Sequence, residues 1–476
     1  MGIRHVHTKN HYIYMLKQCL PMKVHFIAIG GSAMHNLAIA LHKKDCKVTG
    51  SDDEIFDPSR KRLQQYGLLP AQTGWFPERI RPDLDAVILG MHARADNPEL
   101  LMARSLGLKI YSYPEFLYQQ SEKKTRIVIG GSHGKTTITA MILHALNYWQ
   151  IDTDYMVGAQ LEGFEVMVRL TEKAPFIVME GDEYLSSPID RRPKFHIYKP
   201  HIALISGIAW DHINVFPTFD KYLEQFRIFI GSVEEGGKLI WCREDEHLDL
   251  ICSEDYGRDL VQFPYGLPEY KIQHGRPLIL SEGTHYPIRI FGKHNLLNLN
   301  GARIVCQQLG LSSAQFYEAM ASFKGASNRL QQIYDRNGVS MYRDFAHAPS
   351  KLRATVSAVR EFFPEKKLVA CMELHTFSSL NEDFLVQYQG TMDEADKAMV
   401  YFSPHALQMK KLPDLDPDHV GTAFGKPGIR VFTDSGRLQE ALEAEMKRES
   451  IFLFMSSGAF GRLDFNRLAG IADNLP

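Results

Sequence analysis

The octet Gly130-Gly131-Ser132-His133-Gly134-Lys135-Thr136-Thr137 follows the apolar run Ile127-Val128-Ile129 and precedes a helix-forming stretch, Ile138 to Leu146. A strand that stops at a glycine pair and restarts as a helix commits the chain to an α/β crossover. It also leaves free N–H groups at the helix N-terminus, where phosphate oxygens can accept them. The pattern therefore predicts a loop for a nucleoside triphosphate, cradled by Gly131, Ser132, His133, Gly134 and Thr137. Lys135 would reach the β/γ-phosphates and Thr136 a Mg²⁺ ion. The strict pattern G-x-x-x-x-G-K-[ST] requires a first glycine at position 129, where this chain has Ile129. The loop is thus one residue shorter than the common form.

With 476 residues the chain has length for about three domains at roughly 150 residues each. A formal charge of -2 provides no global field for nucleic acid. No run approaches the roughly 18 apolar residues of a membrane span. The six cysteines are scattered without a C-x-x-C pair, which argues against a zinc site or disulfide framework and fits a reducing cytoplasm. The first 21 residues are rich in His, Lys and Tyr, and a recognisable strand starts only at Met22, which reads as the natural start.

Alternating strand and helix signals fill the chain, so an α/β class with parallel sheets is expected. The first unit has strands at Val24 to Ile29, Lys47 to Gly50 and Ala86 to Leu89, with helices at Met34 to Lys43 and Pro98 to Leu106. Its opening turn, Gly30-Gly31-Ser32, resembles a dinucleotide fingerprint, and Ser51-Asp52 follows about 20 residues on, where an acid meets a ribose. Such a turn also occurs as plain strand-to-helix packing. The polar stretch Gln119 to Lys124 reads as a linker, and a second unit carries strands at Phe176 to Met179, Ile202 to Ser206 and Gly237 to Trp241. After Gly325 to Asn328 a third unit has apolar runs Lys367 to Met372, Ala398 to Phe402, Ile429 to Phe432 and Ile451 to Met455, with a helix at Leu438 to Lys447. The domains are therefore expected at 22–120, 121–326 and 327–476.

Three further motifs carry chemistry. The strand at Phe176 ends in Glu180-Gly181-Asp182-Glu183, and crowded carboxylates repel unless a cation or a basic partner offsets them. After the phosphate loop this favours a metal over a merely solvated acidic turn. Trp210-Asp211-His212 follows the strand at Ile202, and a His there could orient a metal or phosphate, although an isolated Asp-His pair is commonly structural. Gly292-Lys293-His294-Asn295-Leu296-Leu297-Asn298 is a turn entering a helix, where amides could read a purine edge or Asn could simply cap.

Together these motifs, followed by Asn328-Arg329-Leu330 and Asp344-Phe345-Ala346-His347-Ala348-Pro349, resemble the Mur ligases, the ATP-dependent amide-forming family of peptidoglycan assembly. The resemblance spans Val24 to about Pro349. It implies a Rossmann-like UDP-binding domain, a central P-loop ATPase domain and a C-terminal Rossmann-like domain. It also implies that ATP and Mg²⁺ serve Lys135, Glu180 and His212 as catalytic residues, with Thr136, Glu180 and His212 at the metal. Further, it assigns His294, Asn295, Asn298, Arg329 and Asp344 to the nucleotide, and Gly30, Gly31, Ser32, Ser51, Asp52 and His347 to substrate.

The N-terminal turn is similar to members that take UDP-N-acetylmuramic acid itself. One such ligase adds L-alanine; another reattaches the tripeptide L-alanyl-γ-D-glutamyl-meso-diaminopimelate during cell-wall recycling. Segments Ser51 to Gly67, Gly90 to Glu99 and Phe176 to Pro200 look closer to the second. Departures are Gly181 in place of the family's usual Ala, Arg343 and Ala348 where Asp and His are frequent, and no Arg after His375. The rivals are a nucleotide switch, which leaves Gly30 unexplained, and an NAD-dependent oxidoreductase, which leaves Lys135 idle.

Overall fold

A computed structural model describes residues 21–158, 160–161, 163–210, 215–273, 276–325 and 329–475. The expected Met22 start therefore concerns a segment, 1–20, outside the described residues, as do Asp211, His212 and the junction residue Asn328. The chain divides into two compact units, which meet in sequence between Tyr265 and Gly266.

The first unit contains two sheets, parallel throughout except that the edge strand Val168–Arg169 runs antiparallel to its neighbour. In one, β1 (Lys23–Ile27), β2 (Lys47–Ser51), β3 (Ala86–Leu89) and β4 (Ile110–Ser112) lie in the order β2-β1-β3-β4. Every residue of β3 is buried, as a strand covered by helices on both faces requires. The second sheet is built from β5 (Thr125–Gly130), β6 (Thr153–Met156), β7 (Val168–Arg169), β8 (Phe176–Glu180), β9 (Ile202–Ile205), β10 (Lys238–Cys242) and β11 (Val261–Tyr265), ordered β11-β10-β9-β5-β8-β6-β7. β5 pairs in parallel with both β8 and β9. The order reverses at β5, and in open α/β sheets ligands sit outside the carboxyl ends of strands at such a reversal.

The stretch at Gln119 to Lys124 is not the linker its polarity suggests. Gln119, Gln120 and Ser121 close the helix Tyr113–Ser121, whose start is fixed by a capping box between Ser112 and Glu115. Lys124 is buried, with Nζ 3.0 Å from Asp154 and donating to the Ala174 carbonyl at 2.7 Å. Its charge is spent inside the domain.

The second unit opens with a three-stranded antiparallel sheet of β12 (Tyr270–Gln273), β13 (Arg276–Ser281) and β14 (Thr284–Pro287), which has no counterpart among the sequence-based strands. A six-stranded sheet follows: β15 (Gln331–Arg336), β16 (Val339–Asp344), β17 (Lys367–Leu374), β18 (Lys397–Phe402), β19 (Arg430–Phe432) and β20 (Ser450–Met455), in the order β15-β16-β20-β17-β18-β19. Only β15 runs antiparallel to its neighbour. β20 lies between β16 and β17 and is buried along its length, so Phe452 and Phe454 anchor a core with Met341, Cys371, Leu438 and Leu468. Among the described residues no helix is long and apolar enough to cross a membrane.

Because Phe452 is fully buried on a central strand, Phe452→Ala should destabilise the second unit by about 3 to 5 kcal/mol. Denaturant unfolding followed by a probe in that unit should show the shift, while a probe in the first unit should stay in place.

Candidate functional site

At the end of β5 the chain turns through Gly131, whose φ of +123° favours glycine and where a Cβ would lie 2.9 Å from the Ser206 nitrogen. Gly134, at φ +79°, caps the helix Lys135–Tyr148. The helix therefore starts a turn before the expected Ile138, which puts Lys135, Thr136 and Thr137 in its first turn, where N–H groups lack intrahelical acceptors. Side chains stiffen the loop from beneath. Ser132 Oγ lies 2.7 Å from the Tyr222 hydroxyl and accepts the Ala209 N–H at 2.9 Å, while the Ser206 hydroxyl donates to the His133 carbonyl. His133 Nδ1 lies 2.7 Å from the Ser132 carbonyl oxygen.

Lys135 Nζ donates to the Gly131 carbonyl at 2.7 Å and to Glu183 Oε2 at 2.6 Å. Burial disfavours the ammonium, but the charges of Glu183, Asp182 and Glu180 outweigh it and hold Lys135 above its ordinary value. Asp182 is paired with Lys194 at 2.5 Å. Its burial works against ionisation, yet Lys194 and then Lys135 bring its carboxyl down to about 2. Two of the three crowded carboxylates thus have basic partners, Glu183 and Asp182, rather than a shared metal.

Glu180 is the exception. Its Oε2 accepts from the Thr136 hydroxyl at 3.2 Å and from the Gly158 N–H, while its buried Oε1 has no hydrogen-bond partner. Burial pushes this carboxyl up to about 7, against the opposing pull of Gly158, Lys135 and Thr136. An orphaned carboxylate oxygen beside a threonine hydroxyl fits Mg²⁺, which takes few protein ligands and completes its shell with water and phosphate. Among the described residues no group of three or more His, Cys, Asp or Glu side chains could hold a metal alone. Gly181 explains a departure from the family pattern: a Cβ there would stand 2.8 Å from Val128 Cγ1 and 3.1 Å from Phe195 Cβ.

In the same unit, Gly30, Gly31 and Ser32 follow β1, while Ser51 ends the neighbouring β2 and Asp52 comes directly after it. Parallel pairing brings these two turns to one sheet edge. The Asp52 carboxylate accepts the Gly30 N–H at 2.7 Å, which shapes the turn, and burial pushes it up to about 6. Arg79 reaches Ser51 Oγ at 3.4 Å.

The remaining expected residues belong to the second unit. Gly292 has φ +91° and a Cβ there would meet Ala358 Cβ at 2.6 Å, so the turn into helix Lys293–Gln308 demands glycine. Burial lowers His294 to about 4. Asn295 donates from Nδ2 to the Phe291 carbonyl at 2.9 Å, closing its own turn, and Asn298 is buried on the same helix. At the end of β16, Asp344 accepts the Leu330 and Ala346 N–H groups, each at 2.6 Å. The Arg329 guanidinium lies 4.7 Å from the Phe345 ring centre, and His347 accepts the Tyr388 hydroxyl on its carbonyl at 2.5 Å.

Sequence reading named Glu183 in the acidic motif without its pairing to Lys135, and missed Tyr222 and Asp245. Glu183 and Tyr222 hold Lys135 and Ser132, and Asp245 accepts the Ile208 N–H at 2.6 Å while capping the helix Glu246–Cys252. Of the two missed residues only Asp245 carried a local signal, as an N-cap residue.

Residues 23–125 match the catalytic domain of the Mur ligase family and residues 129–306 the Mur ligase middle domain. The UDP-N-acetylmuramate–L-alanine ligase of Caldicellulosiruptor bescii is 31% identical over 396 residues, covering 79% of this chain and 83% of that protein. A murein peptide ligase structure from Psychrobacter arcticus superposes with a TM-score of 0.60 at 21% identity, over 96% of this chain and 99% of that one. A UDP-N-acetylmuramate-alanine ligase structure from Thermotoga maritima gives 0.68 at 21% identity, over 95% and 98%. These two structures share the fold.

The carboxyl of Asp344 is pushed up to about 6, chiefly by burial, from an ordinary 3.8. Between those values the folded state holds a proton that the unfolded state has released, so this group's contribution to stability falls as pH rises through the window. The stability of wild type relative to Asp344→Asn should therefore drop by up to about 3 kcal/mol from pH 4 to pH 7 in denaturant titrations.

Proposed function

Because the chain belongs to the Mur ligase family and is an ATP-dependent amide-bond ligase, we propose that it joins UDP-N-acetylmuramic acid to L-alanyl-γ-D-glutamyl-meso-diaminopimelate in peptidoglycan recycling. The observation that carries this reading is one compact unit holding both the Gly30–Asp52 turns and the Lys135–Glu180 centre. A UDP-linked carboxylate and a triphosphate can meet there. The oxidoreductase and switch readings fall with family membership.

The lactyl carboxylate oxygen bonds to the γ-phosphorus of ATP as the bond to the β,γ-bridging oxygen breaks, leaving ADP and an acyl phosphate. The tripeptide's free α-amine then attacks the acyl carbon, phosphate departs, and the amine loses a proton. Backbone N–H groups of the loop would cradle the phosphates, and Lys135 would swing its charge from Glu183 to the transferred group, since this chemistry depends on positioning and electrostatics. Thr136 and Glu180 would hold Mg²⁺, which supplies charge neutralisation on the phosphates. His212 is carried as a further metal and catalytic residue on the family pattern, with Gly131, Ser132, His133, Gly134 and Thr137 at the phosphates.

The division 22–120, 121–326 and 327–476 accompanies this reading, as does a cytoplasmic location, where UDP-sugars and ATP are made. In the second unit His294, Asn295, Asn298, Arg329 and Asp344 would serve the nucleotide and His347 the substrate. A second reading, addition of L-alanine, is favoured by the name of the 31% identical relative. Against it stands Glu373-Leu374-His375-Thr376-Phe377, which has no Arg after His. There the Glu373 carboxylate is spent on the Phe460 N–H at 2.8 Å and the Ser456 hydroxyl.

Two outcomes check the proposal. Offered separately with ATP, Mg²⁺ and UDP-N-acetylmuramic acid, the tripeptide should give the heavier amide product by mass spectrometry, and a preference for L-alanine would install the second reading. Lys135→Ala should reduce ligation by at least about 1000-fold while calorimetry still detects UDP-N-acetylmuramic acid binding. Loss of both would assign Lys135 to folding.

A further inference from the structure

Asn36 is a polar residue on the buried face of the helix Ser32–Lys43, only 4% exposed. Helix interiors disfavour Asn, because its amide competes for backbone partners. Here the competition is put to use. Nδ2 donates to the Ser32 carbonyl at 2.8 Å, in the UDP-type turn, and Oδ1 accepts the Met167 N–H at 3.0 Å, in the ATP-binding part of the unit. The Met167 carbonyl in turn accepts the Val157 N–H at 2.9 Å. The next residue, Gly158, donates to Glu180 and approaches so closely that a Cβ would stand 2.8 Å from Oε2. Four hydrogen bonds and one peptide step therefore connect Ser32 to Glu180.

Arg62 doubles the strap. Its guanidinium donates to Asn36 Oδ1 at 3.2 Å, to Gln160 Oε1 at 2.6 Å and to the Glu165 carbonyl at 2.7 Å. A planar fork can hold several acceptors at once, whereas a lysine ammonium is a point donor. The outer contacts, Lys43 to Glu165 at 2.5 Å and Tyr66 to Glu165, are solvent-exposed and contribute little.

We propose that Asn36 and Arg62 are positioning residues, which fix the turn that receives the UDP end of the donor against the segment that carries Gly158. They thereby set how far the donor's carboxylate lies from the Glu180 centre. The inference rests on UDP-N-acetylmuramic acid being the donor. Neither side chain touches a reacting atom, so its removal alters geometry rather than chemistry.

The test is steady-state and binding analysis of full-length Asn36→Ala, Asn36→Asp and Arg62→Lys. A misplacement of about 1 Å can cost about 100-fold, so Asn36→Ala and Arg62→Lys should lose roughly 10- to 100-fold in kcat. The KM for ATP and the calorimetric Kd for UDP-N-acetylmuramic acid should hold within about threefold, because ground-state binding is intact. More of the phosphate released should be uncoupled from amide product. Asn36→Asp keeps the acceptor for Met167 but loses the donor to the Ser32 carbonyl, so its kcat should fall between those of wild type and Asn36→Ala. Unchanged kcat and coupling in the variants overturns the inference, as does a parallel loss of affinity for both substrates. If Asn36→Ala does not fold, Arg62→Lys, half-buried at the edge of the strap, decides the matter alone. A wild-type enzyme whose phosphate release ignores UDP-N-acetylmuramic acid overturns the donor assignment and this inference with it; intact wild-type dependence with unaffected variants overturns the inference only.

Discussion

The ion pair between Lys135 and Glu183 is the constraint from which the nucleotide site takes its form. Lys135 opens a helix at the end of β5, and Glu183 lies just beyond the end of the adjacent β8. Removing one member of a buried pair leaves the other charge stranded, at a cost of about 3 to 5 kcal/mol, so the two must be placed together. With the Gly131 carbonyl as its third point, the ammonium bends back over the loop it stiffens. Tyr222 extends the network by donating to Glu183 Oε1 at 3.2 Å and meeting Ser132 from below. The loop is shaped before any phosphate arrives.

That pairing determines what the neighbouring carboxylates are free to do. Asp182 has Lys194 and Glu183 has Lys135, so Glu180 alone retains an unmatched oxygen, held against Thr136 and Gly158. One acidic motif thus divides into two paired acids and one carboxylate with a free oxygen. In the second unit Asp344 holds the Leu330 and Ala346 N–H groups, with Arg329 close enough to act on its charge.

Local signals were legible in the sequence, and contacts between distant residues were not. The apolar runs at Ile127, Ala86, Ile202 and Ile451 marked buried strands because strands covered on both faces need no alternation. Glycine pairs marked the turns at Gly30 and Gly130. By contrast β12 and β14 are short, largely exposed strands with little apolar signal, and β13 between them has only the brief apolar run Leu278-Ile279-Leu280. The linker expected at Gln119 failed because polarity does not distinguish a loop from the end of a capped helix. The pairing of Glu183 with Lys135 joins residues 48 apart, and that of Asp182 with Lys194 residues 12 apart, so no spacing rule announced which acid would keep an unpaired oxygen.

The central claim is that the carboxylate of the UDP-linked donor becomes an acyl phosphate at the Lys135–Glu180 centre. Transfer of a carboxylate oxygen to phosphate measures this directly. With UDP-N-acetylmuramic acid labelled with ¹⁸O in its lactyl carboxylate, turnover with ATP and the amine should place one ¹⁸O atom in the released phosphate. Phosphate free of label, formed while the amide product accumulates, would contradict it.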